Sequence, residues 1–175
     1  NYFRSAAAHN TISITGKNHG EIGGRMLWVK QPKKPRIIKY KNDSIVEFSA
    51  ELELEKILWS RTLILNKAKK ELKIIDRIKS KEQIDISYFL NFPLKLNSKK
   101  EKRSDFNLVL TQDNDKYISL EFNFDNYNIV SGNEDLPLGW ISDKFGNKKP
   151  LNNLNRVFTI DKEKKIETVI CYKNA

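Results

Sequence analysis

The run Ile45-Val46-Glu47-Phe48-Ser49-Ala50-Glu51-Leu52 decides the fold class. Its apolar residues Val46, Phe48, Ala50 and Leu52 alternate with Glu47, Ser49 and Glu51. That two-residue period belongs to a strand with one face buried and the other in water. Working outward, the same period returns at Thr11-Ile12-Ser13-Ile14-Thr15, at Thr62-Leu63-Ile64-Leu65, and over residues 72–78, 84–90, 107–110, 117–124, 127–130, 156–160 and 166–170. Turn formers separate the runs: Gly16-Lys17-Asn18, Asn114-Asp115, Ser131-Gly132-Asn133 and Phe145-Gly146-Asn147. Such spacing predicts an all-β fold, a large antiparallel β-sandwich of supersandwich type with ten or more strands. With no internal repeat and no dividing linker, residues 1–175 are expected to form a single domain.

One stretch competes for helix. Residues 52–73 are rich in Glu and Lys and contain neither Gly nor Pro. The apolar Thr62-Leu63-Ile64-Leu65 within it favours strands, with Asn66-Lys67-Ala68-Lys69-Lys70 as a polar turn. At most a short helix near residues 52–56 is then expected. Glu51, Glu53 and Glu55 alternate with apolar residues and read as the solvent face of a strand, not as a paired acid and base.

The chain has 175 residues, of which 39% are hydrophobic and 31% charged, with a formal charge of +10. Its content of Ile, Leu, Val and Phe suffices for a core and excludes the disordered class. The positive sign suits nucleic acid, anionic lipid or acidic polysaccharide equally, and a solvated excess of lysine accounts for it with no partner at all. The densest basic cluster, Lys99, Lys100, Lys102 and Arg103, is interrupted by Glu101 and followed by Asp105, which reads as a loop. Lysines dispersed in this way, without interleaved aromatic residues, argue against a nucleic-acid partner. No run approaches the ~18 apolar residues of a membrane span. The single Cys171 cannot form an internal disulfide and sits in Thr168-Val169-Ile170-Cys171-Tyr172, where a buried strand position is expected. Nothing resembles a phosphate loop, a Ser-His-Asp set or a cysteine-rich metal cluster.

Three stretches carry a family resemblance. The opening Tyr2-Phe3-Arg4-Ser5-Ala6-Ala7-Ala8-His9-Asn10-Thr11-Ile12-Ser13-Ile14-Thr15-Gly16-Lys17 resembles the signature that begins the sandwich of heparinase II/III-like proteins. Trp59-Ser60-Arg61-Thr62-Leu63-Ile64-Leu65, followed by residues 72–78 with Asp76, resembles a strand pair of that family, which often has His where this chain has Trp59. Gly139-Trp140-Ile141-Ser142-Asp143-Lys144-Phe145-Gly146-Asn147-Lys148-Lys149-Pro150 resembles an element near the family's C-terminus and is followed by Glu167-Thr168-Val169-Ile170 in a late strand. The match runs in order along nearly the whole chain.

The resemblance implies a two-part bacterial polysaccharide lyase, periplasmic or secreted: an N-terminal α/α toroid with most of the catalytic groups, and this C-terminal β-sandwich closing one side of the cleft. The sequence opens inside a motif, so we expect the toroid to precede it. The implied reaction is β-elimination on a uronate-containing, anionic polysaccharide. A Tyr or His removes the C5 proton, and donors neutralise the uronate. Those groups belong to the toroid, so the sandwich by itself is expected to be inactive; a non-catalytic glycan-binding or structural module is the alternative.

For single residues, the resemblance makes His9 a candidate ligand of a structural zinc in the intact parent, with the remaining ligands upstream. A full site is not expected from His9 and His19, since closed zinc sites take about four ligands. Read as a residue alone, His9 is a hydrogen-bonded core or turn histidine, enclosed and satisfied at both ring nitrogens. Arg4 is a candidate for bidentate contact with a uronate or sulfate, or else for an ion pair within the sandwich. Asn10 is expected to bond backbone where the strand begins, with sugar hydroxyls as a second option. Trp140 is a candidate sugar-stacking ring, or a core residue.

Overall fold

The computed structural model describes residues 2–24, 27–92, 107–112, 116–144 and 146–174. Two short 3-10 turns, Tyr2–Arg4 and Ala6–Ala8, precede fifteen strands among the described residues. These are β1 (Thr11–Ile14), β2 (Glu21–Ile22), β3 (Trp28–Lys30), β4 (Arg36–Asn42), β5 (Ile45–Leu54), β6 (Ile57–Asn66), β7 (Glu71–Ser80) and β8 (Ile84–Phe92). They continue as β9 (Asn107–Gln112), β10 (Lys116–Phe122), β11 (Asn128–Ser131), β12 (Trp140–Ile141), β13 (Lys149–Pro150), β14 (Asn152–Ile160) and β15 (Glu163–Asn174). The fold class is the expected one, an all-β antiparallel β-sandwich.

The chain gathers into two contact units, each discontinuous in sequence. The first comprises Asn1–Lys33, Gln83–Leu94 and Asn126–Ile160. It contains a four-stranded sheet in the order β1-β8-β14-β11 and the two small ribbons β2-β3 and β12-β13. Alternation builds its buried face, where Ile12 pairs with Tyr88, Ile86 with Phe158 and Leu90 with Leu154, all of them buried. Each such side chain taken fully out of water contributes about 1.5–3 kcal/mol.

The second unit comprises Lys34–Glu82, Lys95–Asp125 and Asp161–Ala175 and holds a seven-stranded sheet in the order β4-β5-β6-β7-β15-β10-β9. Strand β7 displays the period cleanly: Ile74, Asp76 and Ile78 are buried, while Arg77 and Lys79 are exposed. Asp76 is the exception on an otherwise apolar row, and it is only 1% exposed. Its partners explain how it is tolerated. Asp76 Oδ1 accepts from Trp59 Nε1 and from Arg61 Nε, both at 2.7 Å, and Oδ2 accepts from Arg61 Nη2 at 2.9 Å. Arg61 stands directly opposite Asp76 in the β6-β7 register. A buried carboxylate is expensive unless paired and hydrogen-bonded in this way.

Within the expected limit of at most a short helix, residues 52–56 form none: β5 runs on through Leu54, and Glu55 and Lys56 make a two-residue turn into β6, with Glu55 at φ 42°. Glu51 and Glu53 therefore lie on a strand and Glu55 in the turn. Other expectations are corrected. Strand β4 was not anticipated, because all seven of its residues are exposed and a bulge between Ile37 and Lys39 breaks the period. Cys171 lies in β15 as expected but is only half-buried. The turn at Asn114-Asp115, the residue Phe145 and the basic cluster at 99–103 lie outside the described residues.

The Asp76 geometry makes a prediction about stability. Arg61→Leu leaves a buried carboxylate with one neutral donor and is expected to cost about 3–5 kcal/mol in urea unfolding. Adding Asp76→Leu to that variant should recover part of the loss; two additive losses would contradict the pairing.

Candidate functional site

All four candidate residues belong to the first contact unit and lie on or beside the N-terminal segment 2–10. The segment is held by side-chain amides. Asn91 on β8 stands opposite Asn153 on β14, and Asn153 is fully buried. Asn153 Nδ2 donates to the Ala7 carbonyl at 3.1 Å and to Asn91 Oδ1 at 2.8 Å, and its Oδ1 accepts from Asn155 Nδ2 at 3.0 Å. Asn91 Nδ2 donates to the carbonyls of Ala7 at 3.3 Å and His9 at 3.1 Å. The Asn91 backbone N–H donates to Asn10 Oδ1 at 2.6 Å. Further forward, the Ala6 N–H donates to Asn18 Oδ1 at 3.0 Å. Each amide satisfies a group that the irregular segment could not pair by itself.

This frame decides what each candidate does. Asn10 bonds backbone as expected, though the N–H it serves is on the neighbouring strand β8. His9 is exposed, its carbonyl bound by Asn91 and its own N–H donating to the Ala6 carbonyl at 3.0 Å. Among the described residues its ring makes no hydrogen bond. The ring of His9 is therefore not enclosed, and among the described residues no acceptor holds either of its nitrogens.

Arg4 makes two carbonyl bonds and, among the described residues, no ion pair. Its Nη1 donates to Gly24 O at 2.5 Å and its Nη2 to Leu27 O at 2.6 Å, with the guanidinium carbon 4.2 Å from the centre of the Trp28 ring. The planar fork thus anchors the β2-β3 ribbon to the segment.

Trp140 is half-buried, not core. Its Nε1 donates to Asn133 O at 3.0 Å, and its backbone N–H to Tyr2 Oη at 3.3 Å. Lys148 Nζ lies 4.1 Å from the ring centre and donates to both Glu134 carboxylate oxygens at 2.8 Å. Gly139 makes this position possible. At φ 76°, a Cβ there would come within 2.7 Å of the carbonyl oxygens of Val130 and Leu151. Tyr2 thus ties Trp140 to the segment that carries Arg4, His9 and Asn10, while no hydrogen bond or ring contact joins His9 to Arg4 or Trp140 among the described residues.

A zinc site does not assemble from these groups. His19 Nε2 lies 2.5 Å from the Ile12 carbonyl oxygen, and among the described residues no three His, Cys, Asp or Glu side chains converge. The described residues do not fit a closed site. Burial pushes the Tyr127 phenol above its usual range, and Tyr88 is buried in the sheet.

Fold and site together define an all-β sandwich domain whose candidate residues are gathered by one pinned N-terminal segment. A family model described as heparinase II/III-like, C-terminal, matches residues 1–170. The chain belongs to the heparinase II/III-like family, as its C-terminal domain. Among solved structures it is similar to a heparinase III gene product, at 15% identity and a TM-score of 0.74, over 98% of this chain and 25% of that one. It is also similar to the heparan sulfate lyase HepC of Pedobacter heparinus, at 13% identity and a TM-score of 0.75, over 99% of this chain and 25% of that one. The chain thus spans a quarter of the length of these solved proteins. No curated protein matches it.

Two predictions follow from the geometry of the segment. Asn153→Ala leaves the amide of Asn91 and the carbonyl of Ala7 short of partners, and should cost about 1–3 kcal/mol by thermal unfolding. Zinc added to the purified chain should leave its unfolding temperature unchanged; a zinc-dependent rise that disappears in His9→Ala would contradict the ligand inventory.

Proposed function

We propose that this chain is the C-terminal domain of a lyase that cleaves a uronate-containing, anionic polysaccharide by β-elimination, and that the domain by itself is inactive. The observation that carries the reading is the family match over residues 1–170. The chemistry supports the division of labour. β-Elimination needs a base near the operating pH beside donors that take the developing charge of the enolate-like intermediate. In this chain Tyr127 is shifted away from that range, and the Arg4 donors are already engaged by two backbone carbonyls. The base and the carboxylate-neutralising groups are assigned to an N-terminal α/α toroid.

In this reading residues 1–175 act as one domain that borders the cleft, with Arg4, Asn10 and Trp140 along its glycan-facing edge. Trp140 would offer its ring face for sugar stacking once Lys148 shifts, and Arg4 and Asn10 set the path of the segment. A zinc in the intact parent would take His9 together with ligands from outside this chain. The parent is proposed to be a bacterial protein exported to the periplasm or beyond the cell, where such polysaccharides are met. Among the described residues no helix is long and apolar enough to cross a membrane.

The test is the ultraviolet absorbance of unsaturated uronate product, with heparan sulfate and alginate as substrates. The purified 175-residue chain is expected to give no product, whereas the same chain expressed behind its toroid is expected to turn over at least one of them. Turnover by the chain alone would overthrow the assignment of roles, and an inactive two-domain protein would favour a non-catalytic glycan-binding or structural module.

A further inference from the structure

The outward face of the seven-stranded sheet carries a feature that the cleft-bordering role does not use. Across β5, β6, β7 and β15, one register row reads Glu51, Ser60, Arg77, Lys165, and the next reads Glu53, Leu58, Lys79, Glu163. Between these rows lies an open groove of about 320 Å³ lined by Glu51, Leu58, Ser60, Arg77, Lys79 and Glu163.

Its charges are unevenly matched. Glu51 is taken by Arg36, at 2.8 Å. Lys165 reaches along its own strand to Glu167, which also pairs with Lys73 at 3.0 Å. Arg77 and Lys79 are both exposed and have no carboxylate partner among the described residues, although Glu163 stands opposite Lys79 in the register. The side-chain hydroxyl of the half-buried Ser60 beside Arg77 makes no hydrogen bond among the described residues. Arg77 also faces Lys165 directly, and like charges opposed across a strand pair repel. Lys165 is drawn off by Glu167, so an anion in the groove would meet the donors of Arg77, Lys79 and Ser60.

We propose that this groove is an anion-binding subsite that takes the sulfate or carboxylate group of an acidic sugar. The Arg77 guanidinium supplies a planar fork for two oxygens, Lys79 a second positive charge, and Ser60 a hydroxyl donor. Leu58 offers an apolar floor for the sugar ring; it is 38% exposed. The choice of a glycan as the source of the anion rests on the lyase reading. The groove belongs to a sheet of the second contact unit, whereas Arg4, Asn10 and Trp140 belong to the first, so the two sets can be varied independently.

The experiment is a titration of the full 175-residue chain at physiological ionic strength with three probes: a sulfated heparan sulfate oligosaccharide, a neutral oligosaccharide of equal length, and inorganic sulfate. The readouts are the Kd and the Arg77 Nε–H resonance. The sulfated oligosaccharide is expected to shift that resonance, and Arg77→Gln/Lys79→Gln, which removes both charged contacts, to weaken its binding at least about tenfold. The control Lys67→Gln/Lys69→Gln removes the same charge from the β6-β7 turn and should leave the Kd unchanged. Equal weakening in both variants, or an unmoved Arg77 resonance, overturns the subsite. A resonance moved by inorganic sulfate but not by the oligosaccharide overturns the glycan assignment and leaves a small-anion site. Lyase product is not read in any of these arms, so failure of the lyase reading is seen separately.

Discussion

The side-chain amide of Asn153 is the interaction on which the candidate site depends. It is fully buried, and each of its polar atoms is engaged by a protein group. Burying an unpaired amide is costly, so Asn153 is stable there only while Asn91, Asn155 and the Ala7 carbonyl stay in position. The constraint also works in reverse. With the Ala7 carbonyl fixed, the short 3-10 turn Ala6–Ala8 and the exposed His9 follow, and Asn10 locks to β8.

The second unit rests on a comparable arrangement of opposite character. Asp76 is a charge where the alternation calls for an apolar residue, and Trp59 and Arg61 jointly supply its three hydrogen bonds. Arg61 also lies 5.1 Å from the centre of the Trp59 ring, so the three side chains form one packed group. Trp59 presents its ring N–H to the carboxylate. Both units therefore use buried polar side chains to fix strand positions that apolar packing alone would leave tolerant of sliding.

The sheets were legible wherever one face is buried. The run from Ile45 grew by only two residues, ending at Leu54, and Ile84 to Leu90 grew by two, ending at Phe92. Legibility failed where that asymmetry is absent. In β4 the apolar Ile37, Ile38 and Tyr40 are all exposed, so no face is marked. β14 begins four residues before the expected Arg156, because Asn152-Asn153-Leu154-Asn155 reads as loop by propensity. Those same asparagines frame the candidate site. An Asn at every second position beside a strand was the available signal, and its meaning depends on Asn91, 62 residues away in sequence. His9, Asn10, Arg4 and Trp140 were visible through the motifs, but their partners were not, since the carbonyls of Ala6, Gly24, Leu27 and Asn133 carry no sequence signature.

The account treats residues 2–10 as a built part of the domain, and hydrogen–deuterium exchange by mass spectrometry tests this most directly. In the wild-type chain the peptide covering Ala6 to Asn10 should exchange slowly, near the rate of β1. In Asn153→Ala it should become fast while the peptides of β5, β6 and β7 keep their protection. Rapid exchange of that peptide in the wild type, or protection indifferent to the loss of Asn153, would contradict the claim that buried amides hold the segment in place.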